Sequence, residues 1–298
     1  MTLPNTFVVG APKCGTTYLA AWLGQSPEVF APKVKEPGFF AEVRQYRRGL
    51  PHYASAYYRE SGAASVVLDA TPWYLYPRSV PVRIAESLGT DVRIIILLRD
   101  PVSRAVSMYY DQVSRLREKR SLAEAVADDL ALADPAEVVA QEAGPEVVQH
   151  YVLCGLYADP VARYLGTFGP GAVKVIAAED LWGEPELVRT ELEEFLGVTV
   201  PPAPERAANP ASRPRLGSVE HALSRMEAST SHLRDVVGRL PAAAGGLRHL
   251  MDRAARWNQV PTVYPKPEPE LTEQLAAWYR PSNQQLEGML GRPFPQWR

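Results

Sequence analysis

Residues 10–17, GAPKCGTT, place one lysine, two glycines and two threonines between a short β-branched run and the first helical spacing. A loop that leaves a strand and opens a helix offers successive backbone N–H groups and the positive end of a helix dipole, which suits phosphate. Gly10 and Gly15 allow close backbone approach, and the Thr16 and Thr17 hydroxyls can donate to the anion's oxygens. A nucleoside triphosphate loop, G-x-x-x-x-G-K-[ST], would carry lysine at position 16. Here Thr16 stands there, and the lysine is Lys13. A second anion signal lies in LRDPVSRAVSMYY (98–110), where Arg99 closes a hydrophobic run and Ser103 and Ser107 follow at helical spacing. An arginine and hydroxyls at a strand end favour a second phosphate over a magnesium site. The alternative, a P-loop kinase using ATP and magnesium, would assign Asp100 as the metal ligand. A cysteine phosphatase loop is excluded, because position 20, six after Cys14, holds Ala20 rather than arginine. Cys14 reads as a small loop residue whose pKa the helix N-terminus and Lys13 would lower.

Two separated phosphates fit a nucleotide phosphorylated at both its 5′ and 3′ positions. FVVGAPKCGTTYLAAWL (7–23) resembles the 5′-phosphosulfate loop of the sulfotransferases that use 3′-phosphoadenosine 5′-phosphosulfate (PAPS), and LLRDPVSRAVSMYY resembles their 3′-phosphate motif. The resemblance extends to the branch of heparan sulfate glucosaminyl N- and O-sulfotransferases, as a bacterial member. EPGFF (36–40), LDATPWYLYP (68–77), the stretch 175–198 and NQQLEGMLGRPFPQW (283–297) carry that likeness. It implies that Lys13 stabilises the leaving 5′-phosphate, with Cys14, Gly15, Thr16 and Thr17 around that phosphate. Arg99 and Ser107 would hold the 3′-phosphate, and Asn209, Arg213 and Arg215 fall where the family has a basic loop over the nucleotide. Glu36 is the implied general base, with His52 as the second choice and His150 behind it. Asp69, Thr71 and Trp73 would line the acceptor site, with Tyr74 and Tyr76 extending an aromatic wall. Related enzymes carry lysine where this chain has Ala70. No metal is expected, and adenosine 3′,5′-bisphosphate (PAP) would be the spent donor.

These residues need a scaffold. TFVVG (6–10), VVLDATP (66–72), RIIILLRD (93–100) and VKVIAAED (173–180) read as buried strands,. Helical patterns fall at about 77–88, 101–118, 120–131 and 136–166, then at 185–197, 218–257 and 271–291. Alternation of the two predicts an α/β, P-loop-like three-layer fold with a mostly parallel central sheet flanked by helices. A single sulfotransferase domain over 1–298 is expected, with 200–265, opened by the Pro-rich run 200–215, as a cap or insertion. Trp22 and Leu23 are expected in the core. A net charge of −2 provides no global field to recruit nucleic acid or an acidic membrane,. Two cysteines and five scattered histidines provide neither a disulfide framework nor zinc spacing,. Without a leader-like N-terminus or a spanning apolar run, the expectation is a cytoplasmic enzyme. Its acceptor would be a small molecule or glycan; the Ala, Pro and Arg content points to bacterial secondary-metabolite tailoring. Oligomeric state is not encoded in any of these features.

Overall fold

The computed structural model describes residues 2–141, 149–205, 212–215, 254 and 257–297. Five strands form one parallel sheet: β1 (Thr6–Gly10), β2 (Val29–Phe30), β3 (Val66–Ala70), β4 (Arg93–Leu98) and β5 (Val173–Ala177), in the order β2-β3-β1-β4-β5. β1 pairs with β3 on one side and β4 on the other, Phe7 lying opposite Asp69 and Ile94. Every residue of β1 is buried, as its unbroken apolar run requires of a strand covered on both faces,. From β1 the chain fills one side of the sheet through β2 and β3, then crosses to β4 and β5 on the other. The carboxyl end of β1 is therefore a topological switch point, where a doubly wound sheet opens a crevice.

The covering helices are α1 (Thr16–Leu23), α2 (Val43–Tyr46), α3 (Gly49–Tyr57), α4 (Ser79–Leu88), α5 (Pro101–Ser114), α6 (Leu122–Leu130), α7 (Pro135–Ala140), α8 (Ala158–Phe168), α9 (Ala178–Gly183), α10 (Pro185–Leu196) and α11 (Pro269–Leu290). Trp22 and Leu23 are fully buried as expected, and the Trp22 indole N–H donates to the Pro201 carbonyl at 2.8 Å. α10 matches its predicted span and stops at Gly197, which takes the left-handed conformation at φ 69°,.

The four sequence-read strands are all present; β1 keeps its predicted bounds, and the other three are shorter than predicted. β3 ends at Ala70 because Pro72, which has no N–H for a sheet ladder, opens a 3-10 turn over Pro72–Leu75,. β4 gives way to α5 after Leu98, and β5 passes directly into α9 at Ala178. The helical pattern over 136–166 is not one helix. Among its described residues it divides into α7, a 3-10 turn at Leu153–Gly155 and α8. Gly155 explains part of the break: a Cβ there would lie 2.7 Å from the Tyr279 ring of α11, so the backbone runs against that ring. α5 ends at Ser114 rather than 118.

Three short strands, β2 among them, were not read from the sequence. β6 (Ser212–Pro214) and β7 (Gln259–Pro261) form an antiparallel pair, Arg213 opposite Val260. Most of the expected 200–265 segment, including Asn209 and the helical pattern at 218–257, lies outside the described residues.

Candidate active site

β1 delivers the loop. Gly15 precedes α1 in the left-handed region at φ 92°, and a Cβ there would lie 2.9 Å from Trp182 Cζ2. Glycine is thus required twice over, by backbone conformation and by the indole against it. Thr16 is buried and Thr17 exposed at the start of α1. Cys14 contributes no reactive thiol. It is buried, and burial pushes its pKa up to about 12 despite Arg104 and Arg99 nearby. The expected lowering is overturned, because loss of hydration outweighs those cations.

Lys13 also has positive φ, 70°, and its ammonium donates to Asp111 Oδ1 of α5 at 2.9 Å. Asp111 holds Arg115 with its other oxygen at 2.8 Å. Burial pushes the Asp111 carboxyl upward, but Lys13 and Arg115 outweigh it and keep the acid below its ordinary range. The loop is also joined to the end of β4, where Arg99 Nη1 donates to the Lys13 carbonyl at 3.5 Å. α5 starts at Asp100, whose carboxylate accepts from the Ser103 N–H at 2.8 Å,. Ser103 and Ser107 are therefore one turn apart on the same helix face, beyond the strand end that carries Arg99.

A cavity opens beside the loop. The start of α1 (Thr16, Thr17), the 31–37 segment (Lys35 and Glu36 among them) and β3 (Leu68, Ala70) bound it. Glu36 has φ 53°. Burial raises its pKa; Lys35, Arg115 and a hydrogen bond from Trp73 oppose that rise, while Asp111 adds to it. Its surroundings thus gather the loop, α5 and the 3-10 turn around one carboxylate. Lys35 Nζ donates to Thr17 Oγ1 at 3.2 Å.

The strand period separates β3's residues. Leu68 and Ala70 face the cavity, whereas Asp69 lies on the other face, fully buried,. Asp69 accepts from Thr71 at 2.6 Å, from Tyr74 at 3.2 Å and from Tyr53. Burial raises its pKa to about 6 against those three donors. Thr71 Oγ1 in turn accepts from the Gly38 N–H at 3.4 Å, and Tyr74 Oη accepts from the Phe40 N–H at 3.1 Å. Asp69, Thr71 and Tyr74 consequently anchor the loop that carries Glu36 and are not among the residues lining the cavity. Tyr76 is buried too, its hydroxyl on the Cys154 carbonyl at 2.9 Å. Of the expected aromatic wall, Trp73 remains beside Glu36.

His52 sits on α3 and is not among the cavity-lining residues; burial and Arg48 lower its pKa. His150 is held elsewhere, Nδ1 3.1 Å from Asp129 Oδ1. Arg213 lies in β6, and Arg215 stacks over Trp257 with its guanidinium carbon 5.8 Å from the ring centroid.

The sulfotransferase domain family matches residues 3–212. The chain belongs to that family. It is 26% identical over 293 residues to heparan sulfate glucosamine 3-O-sulfotransferase 3B1 of Mus musculus, covering 98% of this chain and 64% of the mouse protein. It is 30% identical over 199 residues to heparan sulfate glucosamine 3-O-sulfotransferase 6 of Homo sapiens, covering 65% of this chain and 52% of the human one. A crystal structure of a sulfotransferase from Alicyclobacillus acidocaldarius superposes with TM-score 0.68 at 26% identity and covers 100% of both chains. The chain spans about two thirds or less of these curated relatives. The family, its α/β fold and the branch resemblance read from the motifs all stand.

Within this sulfotransferase site, sequence reading missed Lys35, Asp111 and Arg115. Lys35 had a signal, since it precedes Glu36 and must share its loop. Asp111, one helical turn beyond Ser107, could have been placed on the face of α5 that carries Ser103 and Ser107.

Proposed function

We propose that the chain transfers the sulfuryl group of PAPS to a hydroxyl of a small molecule or glycan, with an amine as the second choice of acceptor. The observation that carries this reading is a single cavity at the switch point. It places the start of α1 and its threonines beside a carboxylate of raised pKa, with Lys13 on the adjoining loop. Lys13, Gly15, Thr16 and Thr17 take the 5′-phosphosulfate; Arg99 and Ser107 take the 3′-phosphate; Arg213 and Arg215 close over the nucleotide. Glu36 removes the acceptor's proton while the acceptor oxygen attacks sulfur. The bond from sulfur to the 5′-phosphate breaks and PAP leaves with its electron pair. Lys13 must exchange Asp111 for the donor to neutralise that charge. Sulfuryl carries less charge than a γ-phosphoryl group, so no divalent metal is assigned.

Residues 200–265 serve as the cap of a single domain; the β6–β7 pair and Tyr264 stacked on Tyr110 of α5, 5.0 Å between centroids, support that placement. Cys14 and Cys154 are buried and form no disulfide, which fits a reducing cytoplasm,. Among the described residues, no helix is long and apolar enough to cross a membrane.

The test begins with ligand-dependent melting. PAP should stabilise the protein and Mg-ATP should not; at one hundred times its dissociation constant a ligand adds about 2.7 kcal/mol. Radiolabelled PAPS offered with a panel of hydroxyl and amine acceptors then identifies the substrate. Glu36→Gln should keep PAP affinity and lose at least about tenfold in turnover. Full activity in that variant would move the base elsewhere, with His52 tested next.

A further inference from the structure

Two lysines approach the phosphate loop from different elements. Lys13 belongs to the loop itself and is joined to α5 through Asp111. Lys35 comes from the 31–37 segment, and its ammonium rests on Thr17 Oγ1, at the first turn of α1. Lys35 is the cation among the residues lining the cavity, and it borders the same space as Glu36. The remaining wall there is largely apolar, with Ala20, Ala31, Val34, Leu68 and Ala70. A cation already held at that position can meet charge as it develops on the donor without a rearrangement of its own. Ala70 lines this cavity as well, so a longer side chain at position 70 would enter it.

Resting on the sulfotransferase reading, we propose that Lys35 is a second cationic catalytic residue, whose ammonium beside Thr17 contacts the sulfuryl oxygens of the donor during transfer. Lys13 and Lys35 then divide the work. As the sulfur to phosphate-oxygen bond breaks, the electron pair stays on the 5′-phosphate of PAP, where Lys13 neutralises it. Negative charge on the three sulfuryl oxygens meets Lys35 while the acceptor oxygen bonds to sulfur and its proton passes to Glu36. The charge that related enzymes place on β3 is supplied here from the loop that holds the base. This accounts for a working cavity with alanine at position 70.

Lys35→Gln is the test, made in the full chain, with PAP calorimetry and steady-state kinetics on PAPS. The kinetics use the best acceptor from the panel and hydrolysis of PAPS to PAP and sulfate. Lys35 is exposed, so the variant should melt with wild type,. It should lose at least about tenfold in kcat while the PAP dissociation constant changes by less than about threefold, because the interaction is made mainly in the transition state. Loss of the cation beside Glu36 should also move the acid limb of kcat/KM to higher pH, a change that a purely structural lysine would not produce. Adding Ala70→Lys to the variant should restore a substantial part of the rate by returning an ammonium to the same cavity. The proposal is overturned if Lys35→Gln retains wild-type kcat, or if only the KM for PAPS changes and the acid limb stays in place. A wild-type protein that fails to bind PAP would instead sink the functional reading on which this rests.

Discussion

At the scale of single residues, two carboxylates less than a loop apart are given different tasks by their surroundings. Glu36 borders the cavity and Asp69 lies behind it, and burial raises the pKa of both. A base must be deprotonated to act, so a raised Glu36 pKa places the acid limb of kcat/KM above the ordinary glutamate value of 4.5,. Rate measurements across acidic pH check this. A limb at or below the ordinary value would remove Glu36 from the role. Asp69 bears on stability instead. Its folded pKa of about 6 stands above the ordinary aspartate value of 3.8, so between those values the folded protein holds more proton than the unfolded chain,. The contribution of Asp69 to stability is therefore greatest at low pH and declines as pH rises through that window, by roughly 3 kcal/mol in total. Denaturation of wild type and Asp69→Asn at several pH values isolates the effect. The difference in unfolding free energy between the two should shrink from about pH 4 to pH 6.5. A constant difference would mean that the three hydroxyl donors hold Asp69 ionised throughout.

At the scale of elements, the strand-loop-helix unit from β1 to α1 was readable because each part has a local cause. An unbroken apolar run makes a buried strand, glycine makes the left-handed turn, and Leu19, Trp22 and Leu23 make the buried helical face. Gly15→Ala tests that unit. Its methyl group would require a strained backbone and meet Trp182, so PAP affinity should fall at least about tenfold with a lower melting temperature, both followed by calorimetry,. An alanine variant with normal affinity would show that the loop is not shaped by this glycine. The same legibility fails where non-local contacts decide. Nothing in LDATP tells that Asp69 faces away from the cavity, because the facing depends on β3 pairing with β1 in a particular register. Nor does the apolar pattern of 136–166 disclose its breaks, one of which depends on a tyrosine more than a hundred residues later. The short β6–β7 pair lacks any run long enough to signal a strand.

At the scale of the molecule, the segment 292–297 returns to the end of β4. Phe294 and Trp297 stack with centroids 4.0 Å apart, and Trp297 also meets Tyr157 at 5.7 Å. The Tyr157 hydroxyl donates to the Arg99 carbonyl at 3.0 Å. The Trp297 indole N–H donates to Glu179 Oε2 at 3.2 Å, while Glu179 Oε1 accepts from the Asp100 N–H at 2.9 Å. Beside it, Arg292 pairs with Asp180 at 2.6 Å. The C-terminal segment thereby fixes the end of β4 from two directions, at the residue assigned to the 3′-phosphate and at the cap of α5. Trp297→Ala removes the ring from Tyr157 and leaves Glu179 with one partner fewer. The loss of apolar contact should cost about 2 kcal/mol of stability, a drop of several degrees in melting temperature. If the segment positions Arg99, affinity should fall for PAP and much less for adenosine 5′-phosphate, which has no phosphate at the 3′ position. Calorimetry with both nucleotides makes the comparison. Equal losses for the two would show that the chain's end stabilises the fold without tuning the 3′-phosphate site.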